Sequence, residues 1–304
     1  MTECERIIKN NVLPRSFFDE EIRCDFLVTK ERKKIWAIGL DLLLEFDRVC
    51  KKYNLSYFLI HGSLLGAIRH NGFIPWDDDI DVAMLRSDYN NLMNIAAKEF
   101  SNQYFFQTPY SDNGYLFSFN KLRNKNTTGI SLSFRYESFN QGLFLDIFPL
   151  DNCLLDDAEK RFNQIKDCII DNSNYMRRKS LDSEDQKRYL QHSGKDPLEV
   201  VKEIERIQTM HEKIKNTEYV NNSSITTYPY EKLIFKRDSF SSSIMHEFEG
   251  FKFPIPIGWE EILKNNYGDY LQMPAKEDRG KWHDKSIMNA DIPYKQFAQT
   301  YYVK

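Results

Sequence analysis

Cysteine is scarce and scattered: Cys4, Cys24, Cys50, Cys153 and Cys168 are the only five in 304 residues. The number is odd and none of them forms the close pairs of a zinc site, so they read as reduced thiols of a cytoplasmic protein. Long apolar runs are lacking too. No stretch approaches the roughly 18 apolar residues that span a bilayer, and the opening MTECERIIKNNVLP mixes acids with bases and has no secretory h-region. Charge of one sign is also absent. A formal net charge of -3 gives no basic field, so nucleic acid is not an expected partner. No internal repeat or low-complexity tract occurs.

What is present is a soluble, foldable composition, 41% hydrophobic, 14% aromatic and 29% charged. The length suits one large domain or two smaller ones. Residues 1–30 are weakly patterned and predict an arm. Apolar residues at three- and four-residue spacing (Ile35, Ile38, Leu42, Phe46, Val49) predict an amphipathic helix over 31–53. Residues 56–61 predict a buried strand, 64–70 two helical turns, 79–84 a strand, and 87–100 a helix capped by Ser87. Short strands are predicted at 104–106 and 115–122, with a loop at 124–127. GLFLDIF, residues 142–148, is apolar on both faces and predicts a strand buried within a sheet. Beyond Pro149, residues 156–178 and 183–215 predict a helical subdomain, 216–239 mostly loops, and 259–265 a helix.

The chemistry concentrates in LIHGSLLGAIRHNGFIPWDDDIDVAM, residues 59–84. Gly62-Ser63, a turn between strand and helix, can bring backbone N–H groups and a helix N-terminus to an anion. Four acids follow, Asp77, Asp78, Asp79 and Asp81. Strand alternation would put Asp79 and Asp81 on one face, roughly 6.5–7 Å apart at Cα, able to converge on one Mg²⁺ or bracket two ions. Asp77 is a supporting or additional ligand and Asp78 a solvated acid. Asp146, alone in its apolar strand, needs a cation, either an arginine or a metal shared with Asp79 and Asp81. Lys121 and Arg123 alternate on a strand and can clamp donor phosphates. Arg69, His70 and His61 are balanced between structural and ligand roles, and Trp76 is better explained by burial than by base stacking.

HGSLLGAIRHNGFIPWDDDID resembles the signature of the LicD family, within the nucleotidyltransferase-like superfamily. Further resemblances are KLRNKNTT from Lys121, GLFLDIFPLD from Gly142, FEGFKFPIP from Phe248, and YGDYLQMP with Arg279 and His283. The resemblance implies an α+β fold: a nucleotidyltransferase-like mixed sheet flanked by helices, with a helical insertion or cap and an irregular C-terminal segment. The expected division is an arm (1–30), a catalytic core (31–150), a helical cap (151–220) and a C-terminal segment completing the site (221–304). It also implies Mg²⁺- or Mn²⁺-dependent transfer of phosphocholine, or a related phospho-alcohol, from a CDP-activated donor to a glycan hydroxyl. Asp79, Asp81 and Asp146 match the metal carboxylates, Gly62 and Ser63 the phosphate-side turn, and Arg279 and His283 substrate-side residues. A lipid-linked acceptor would bring the protein to the inner membrane face as a peripheral partner. Two rivals stand beside this reading: transfer of an NMP group onto a protein or small molecule, and a catalytically inactive glycan-binding protein. The intact acids count against the latter.

Overall fold

The computed structural model describes residues 1–100, 102–180, 194–215, 217–280 and 286–301. The arm is more ordered than its composition predicts. It opens with α1 (Glu3–Lys9), where Thr2 and Glu5 satisfy each other's backbone N–H in a capping box. A hairpin follows, β1 (Glu21–Arg23) with β2 (Phe26–Val28). The stripe read from residue 31 forms α2 (Lys30–Tyr53), started by the Thr29 cap and stopped by Asn54 in the left-handed region. Its inner face buries Trp36, Ile38, Leu42, Phe46 and Val49 completely.

Next come β3 (Phe58–Leu59), α3 (His61–His70), β4 (Asp81–Leu85) and α4 (Arg86–Glu99). Three boundaries differ from the sequence reading. The strand before the Gly-Ser pair has only two residues, and Gly62-Ser63 lie inside the first turn of α3 rather than ahead of it. Asp79 precedes β4 instead of belonging to it. Ser87 does not cap α4, because the helix already begins at Arg86. The chain continues through β5 (Tyr104–Gln107), β6 (Asn120–Asn124), β7 (Thr128–Ser131) and β8 (Leu143–Cys153). Thus β6 starts five residues later than the pattern suggests, because Tyr115 turns into a separate apolar cluster with Phe139, Met176 and Val201.

After β8 come α5 (Leu155–Arg177), α6 (Pro197–Gln208), β9 (Tyr219–Asn221), β10 (Ile234–Lys236), β11 (Ser243–Phe248), β12 (Phe251–Pro256), α7 (Trp259–Tyr267), β13 (Ser286–Asn289) and α8 (Tyr294–Tyr301). Within the helical stretch read from 183 to 215, residues 183–193 lie outside the described residues and α6 accounts for 197–208. The main sheet runs β10-β9-β8-β4-β3, with β6 also on β8 and β5 on β6. β4 and β8 are parallel and the other pairs antiparallel, so the fold is α+β with a mixed sheet. Central β8 carries Leu145, Ile147 and Leu150, each at most 1% exposed, which is what a run apolar on both faces requires. The strand does not end at Pro149. It continues to Cys153, and its last three residues pair with β9. Among the described residues no helix is long and apolar enough to cross a membrane.

One buried pair ties the helices to this sheet. Arg86, at the start of α4, donates to Asp151 of β8 through Nε at 2.6 Å and Nη2 at 2.8 Å, and reaches Gln208 of α6. Asp151→Ala leaves a buried guanidinium uncompensated, so it is expected to cost ~3–5 kcal/mol in urea or thermal unfolding. A change below ~1 kcal/mol would show that the pair behaves as a surface bridge.

Candidate active site

The site begins where β3 gives way to α3. Ile60 is extended, and α3 starts with no side chain capping its first turn. Its first-turn backbone N–H groups therefore have no side-chain cap at the positive end of the helix dipole. Gly62 is required here by close approach: a Cβ on it would lie 2.9 Å from Oδ2 of Asp77. The Ser63 hydroxyl accepts the Asp81 N–H at 2.8 Å, pinning the first residue of β4 to the helix. Gly62→Ala is expected to displace Asp77 and cut turnover by about tenfold while the melting temperature moves little, since only one carboxylate must shift. Full activity in that variant would mean that Asp77 needs no contact with the α3 turn. His61 is structural: fully buried, with Nε2 accepting from Asn222 at 3.0 Å, its pKa is pushed down to about 4 by burial.

The acid loop hangs from α2. The Asp77 carbonyl accepts from Arg32 Nη1 at 2.9 Å and Trp36 Nε1 at 2.8 Å, while Asp78 N–H turns back to Asp77 Oδ1. Asp77, Asp78 and Asp79 each present a carboxylate oxygen within 4.8 Å of the others. Asp78 therefore joins the cluster rather than standing apart in solvent. Asp81 lies beside Asp146, its register partner across the parallel β4–β8 pair, and Asp146 N–H bonds the Ile80 carbonyl at 2.9 Å. Extended backbone thus continues through Ile80, although the strand proper begins at Asp81. Burial pushes the Asp79 carboxyl well above the usual range, and Asp77, Asp81, Asp78 and Asp146, in that order, push it further. Asp77, Asp78 and Asp79 converge closely enough to offer an oxygen donor set for a hard divalent cation, while Asp81 and Asp146 stand outside that group and act on Asp79 electrostatically.

The predicted cations divide by position. Lys121 stands next to Asp146 in the β6–β8 register and donates to its Oδ1, with Nζ 3.6 Å from the centre of the Phe144 ring. Asp146 thus has a lysine partner where an arginine or metal was expected. Burial lowers the Lys121 pKa and raises that of Asp146, in each case the largest influence on the group. Arg123 shares the face but is 3% exposed and bonded to Gln107 and to the Gly142 carbonyl at 2.6 Å, so it braces β5 and the start of β8. Arg69 reaches away from the acids to the carbonyls of Tyr270, 3.1 Å, and Gln272, 3.3 Å. Arg279 lies over Trp76 at 4.8 Å and bonds the Cys24 carbonyl at 2.7 Å. Both arginines fasten the C-terminal segment beside the acid loop. His283 lies outside the described residues.

Three neighbours carry roles that sequence reasoning did not assign. Glu249 bonds the Phe73 N–H at 3.1 Å, donates its own N–H to the Asn71 carbonyl at 2.8 Å, and pairs with Arg23. It thereby fixes the turn that feeds the acid loop. Tyr228 and Tyr267 are pushed up by burial and, further, by Asp81, Asp77 and Asp79, which puts both phenols within the field of the acids. The FEG and YGDY motifs held the signal for Glu249 and Tyr267. Tyr228 had no comparable motif.

A Gly-Ser helix start packed against acids on and before the adjacent strand, with a further acid on the next strand, defines a nucleotidyltransferase-type domain. Residues 54–182 match the family model described as LicD/FKTN/FKRP, nucleotidyltransferase domain. Those residues therefore carry a LicD-type domain match. It is 29% identical over 260 residues to the lipopolysaccharide cholinephosphotransferase LicD of Haemophilus influenzae, covering 81% of this chain and 93% of that protein. It is also 32% identical over 82 residues to the mouse ribitol 5-phosphate transferase FKRP, covering 22% of this chain and 17% of that protein.

Proposed function

We propose that this protein moves phosphocholine, or a related phospho-alcohol, from a CDP-activated donor to a hydroxyl of a cell-surface glycan, releasing CMP, with Mg²⁺ or Mn²⁺ as cofactor. The observation that carries the reading is Asp79 held among Asp77, Asp78, Asp81 and Asp146 at the open end of α3. Such crowding is costly unless a cation offsets it. When bound, the cation supplies charge neutralisation for phosphate oxygens. The chain's own groups do the rest. The first-turn N–H groups of α3 bind phosphate oxygens, and Ser63 keeps the acids in register with that turn. Asp146, whose carboxyl is raised by burial and held by Lys121 at Oδ1, takes the proton of the attacking hydroxyl at Oδ2. The activities of the two relatives, cholinephosphotransferase and ribitol 5-phosphate transferase, support a phospho-alcohol as the group moved.

The test is to incubate the protein with Mg²⁺ or Mn²⁺ and CDP-choline, CDP-ethanolamine, CDP-glycerol or CDP-ribitol, with and without candidate glycans, and to measure CMP. The expected result is cation-dependent CMP release from one donor, enhanced by acceptor. Silence with all four donors, together with pyrophosphate release from a nucleoside triphosphate, would replace this reading with NMP transfer.

A further inference from the structure

A cavity of about 560 Å³ lies between the start of α5, the β9–β10 edge of the sheet, the turn at 230–233 and α7. That is the size of a small-molecule site rather than an ion's. Tyr219 stands beside Lys236 in the β9–β10 register, so both point to the same side of the sheet edge. Tyr230 joins them from the turn, its ring 6.2 Å from that of Phe162. Leu155, at the start of α5, also lines the cavity and is 55% exposed.

Two segments part this cavity from the acids. Tyr230 follows Tyr228 by two residues, and Asn265 precedes Tyr267 by two. Side chains two apart on a helix point to nearly opposite sides, so α7 presents Asn265 to the cavity and Tyr267 to the acids. Along the other segment Tyr230 lines the cavity, while Tyr228 stands in the field of the acids. Two residues span at most about 7 Å, so the wall is one chain thick. It is also braced. Asn265 Nδ2 donates to the carbonyls of Glu231, 3.2 Å, and Ile234, 3.3 Å, and Asn266 Nδ2 donates to that of Lys232 at 2.7 Å. Lys232 Nζ returns a bond to the Asn266 carbonyl at 3.0 Å.

The described lining residues carry two cations, Lys236 and Lys264, and two acids, Glu231 and Glu261. Lys236 pairs with Glu261 at 2.7 Å. With its charges balanced, the cavity has no field to attract a nucleotide or another polyanion. Tyrosine faces rimmed by amide, carboxylate and ammonium groups suit a pyranose, which is apolar C–H on its face and hydroxyl around its edge. We propose that this cavity binds uncharged sugar units of the acceptor glycan, adjoining the unit that receives the phospho-alcohol. The proposal rests on the reading of the protein as a transferase acting on glycans, and adds where the rest of the acceptor lies. Sugar rings pack on Tyr219 and Tyr230. Their hydroxyls bond the Lys236–Glu261 pair and the amide oxygen of Asn265, whose N–H groups are spent on the wall.

The full-length chain, in chelator and without donor, is applied to an array of bacterial surface oligosaccharides. The expected result is retention of at least one uncharged oligosaccharide, little changed as salt is added. On the unaltered chain, hydroxyl-radical footprinting with that oligosaccharide bound should protect Tyr219 and Tyr230, read by peptide mass spectrometry. Tyr230→Ala should weaken binding by about tenfold and raise the acceptor KM by the same factor while the donor KM stays in place. No oligosaccharide retained, protection that falls outside the cavity, or a folded Tyr230→Ala that binds like wild type would each overturn the proposal. The footprint needs no variant to fold. Failure of the catalytic reading looks different: glycan held in the cavity with no CMP released from any donor supports the subsite and removes the phosphotransfer. CMP release with no glycan retained removes the subsite alone.

Discussion

Asp79→Ala and Asp81→Ala are each expected to lower cation-dependent CMP release by a factor on the order of 10²–10³, about 3–4 kcal/mol of transition-state stabilisation. Stability should move the other way at position 79. In the folded chain burial and four neighbouring carboxylates hold the Asp79 carboxyl well above its ordinary range. A raised folded pKa means that the folded state binds this proton more tightly than the unfolded state does. The contribution to stability is fully present below the unfolded value, about 3.9, and is lost as pH rises through the folded one. At neutral pH, without cation, ionised Asp79 is therefore a burden on the fold. Asp79→Asn should raise the melting temperature measured in chelator and flatten its dependence on pH above that range. Added Mg²⁺ should raise the wild-type melting temperature by mass action and raise the variant's far less. Equal cation shifts in wild type and variant would remove Asp79 from the cation site, whatever the activity data show.

The elements legible in the sequence are those whose partners lie nearby or whose environment is uniform. The α2 stripe needs only a 3.6-residue period, and GLFLDIF needs only two covered faces; both form where predicted, the strand running on to Cys153. The acid cluster was legible as chemistry and less so as geometry. The alternation of Asp79 and Asp81 assumed a strand through both, but β4 starts at Asp81, and Ser63 rather than strand pairing fixes its first N–H. What stayed hidden depends on register between distant segments. Lys121 meets Asp146 because β6 runs antiparallel to β8 in one register; a shift by one residue would turn Lys121 to the other face. Arg69 was balanced between structural and ligand roles and Arg279 took a substrate-side role from the family resemblance, yet both side chains bond backbone carbonyls some 200 or more positions away, which no local pattern encodes. Glu249 is similar: its motif was visible, but its target at residues 71–73 was not.

Lys121 decides between two accounts of the site, and Lys121→Met separates them. If the amine serves mainly to contact donor phosphate, the variant should lose activity and keep its stability. The structure favours the second account. Lys121 is 6% exposed, its ammonium bonds Asp146 and lies against Phe144, and Asp79 also acts on it. Methionine retains the volume and apolar stem but leaves Asp146 buried beside Asp79 and Asp81 with no lysine. Breaking a buried pair from one side costs ~3–5 kcal/mol, so the melting temperature in chelator should fall by roughly 10 °C. Two further measurements identify the cause. Lys121→Met combined with Asp146→Asn should recover most of the loss, because the stranded charge is gone and only the coupling between the two positions has been removed. Mg²⁺ should stabilise the single variant more than the wild type, since a carboxylate released from its lysine is a better oxygen ligand. A single variant as stable as wild type would return Lys121 to the role of a phosphate clamp. A large loss repaired by Asp146→Asn would make it the internal cation that keeps the third carboxylate in place until donor and metal arrive.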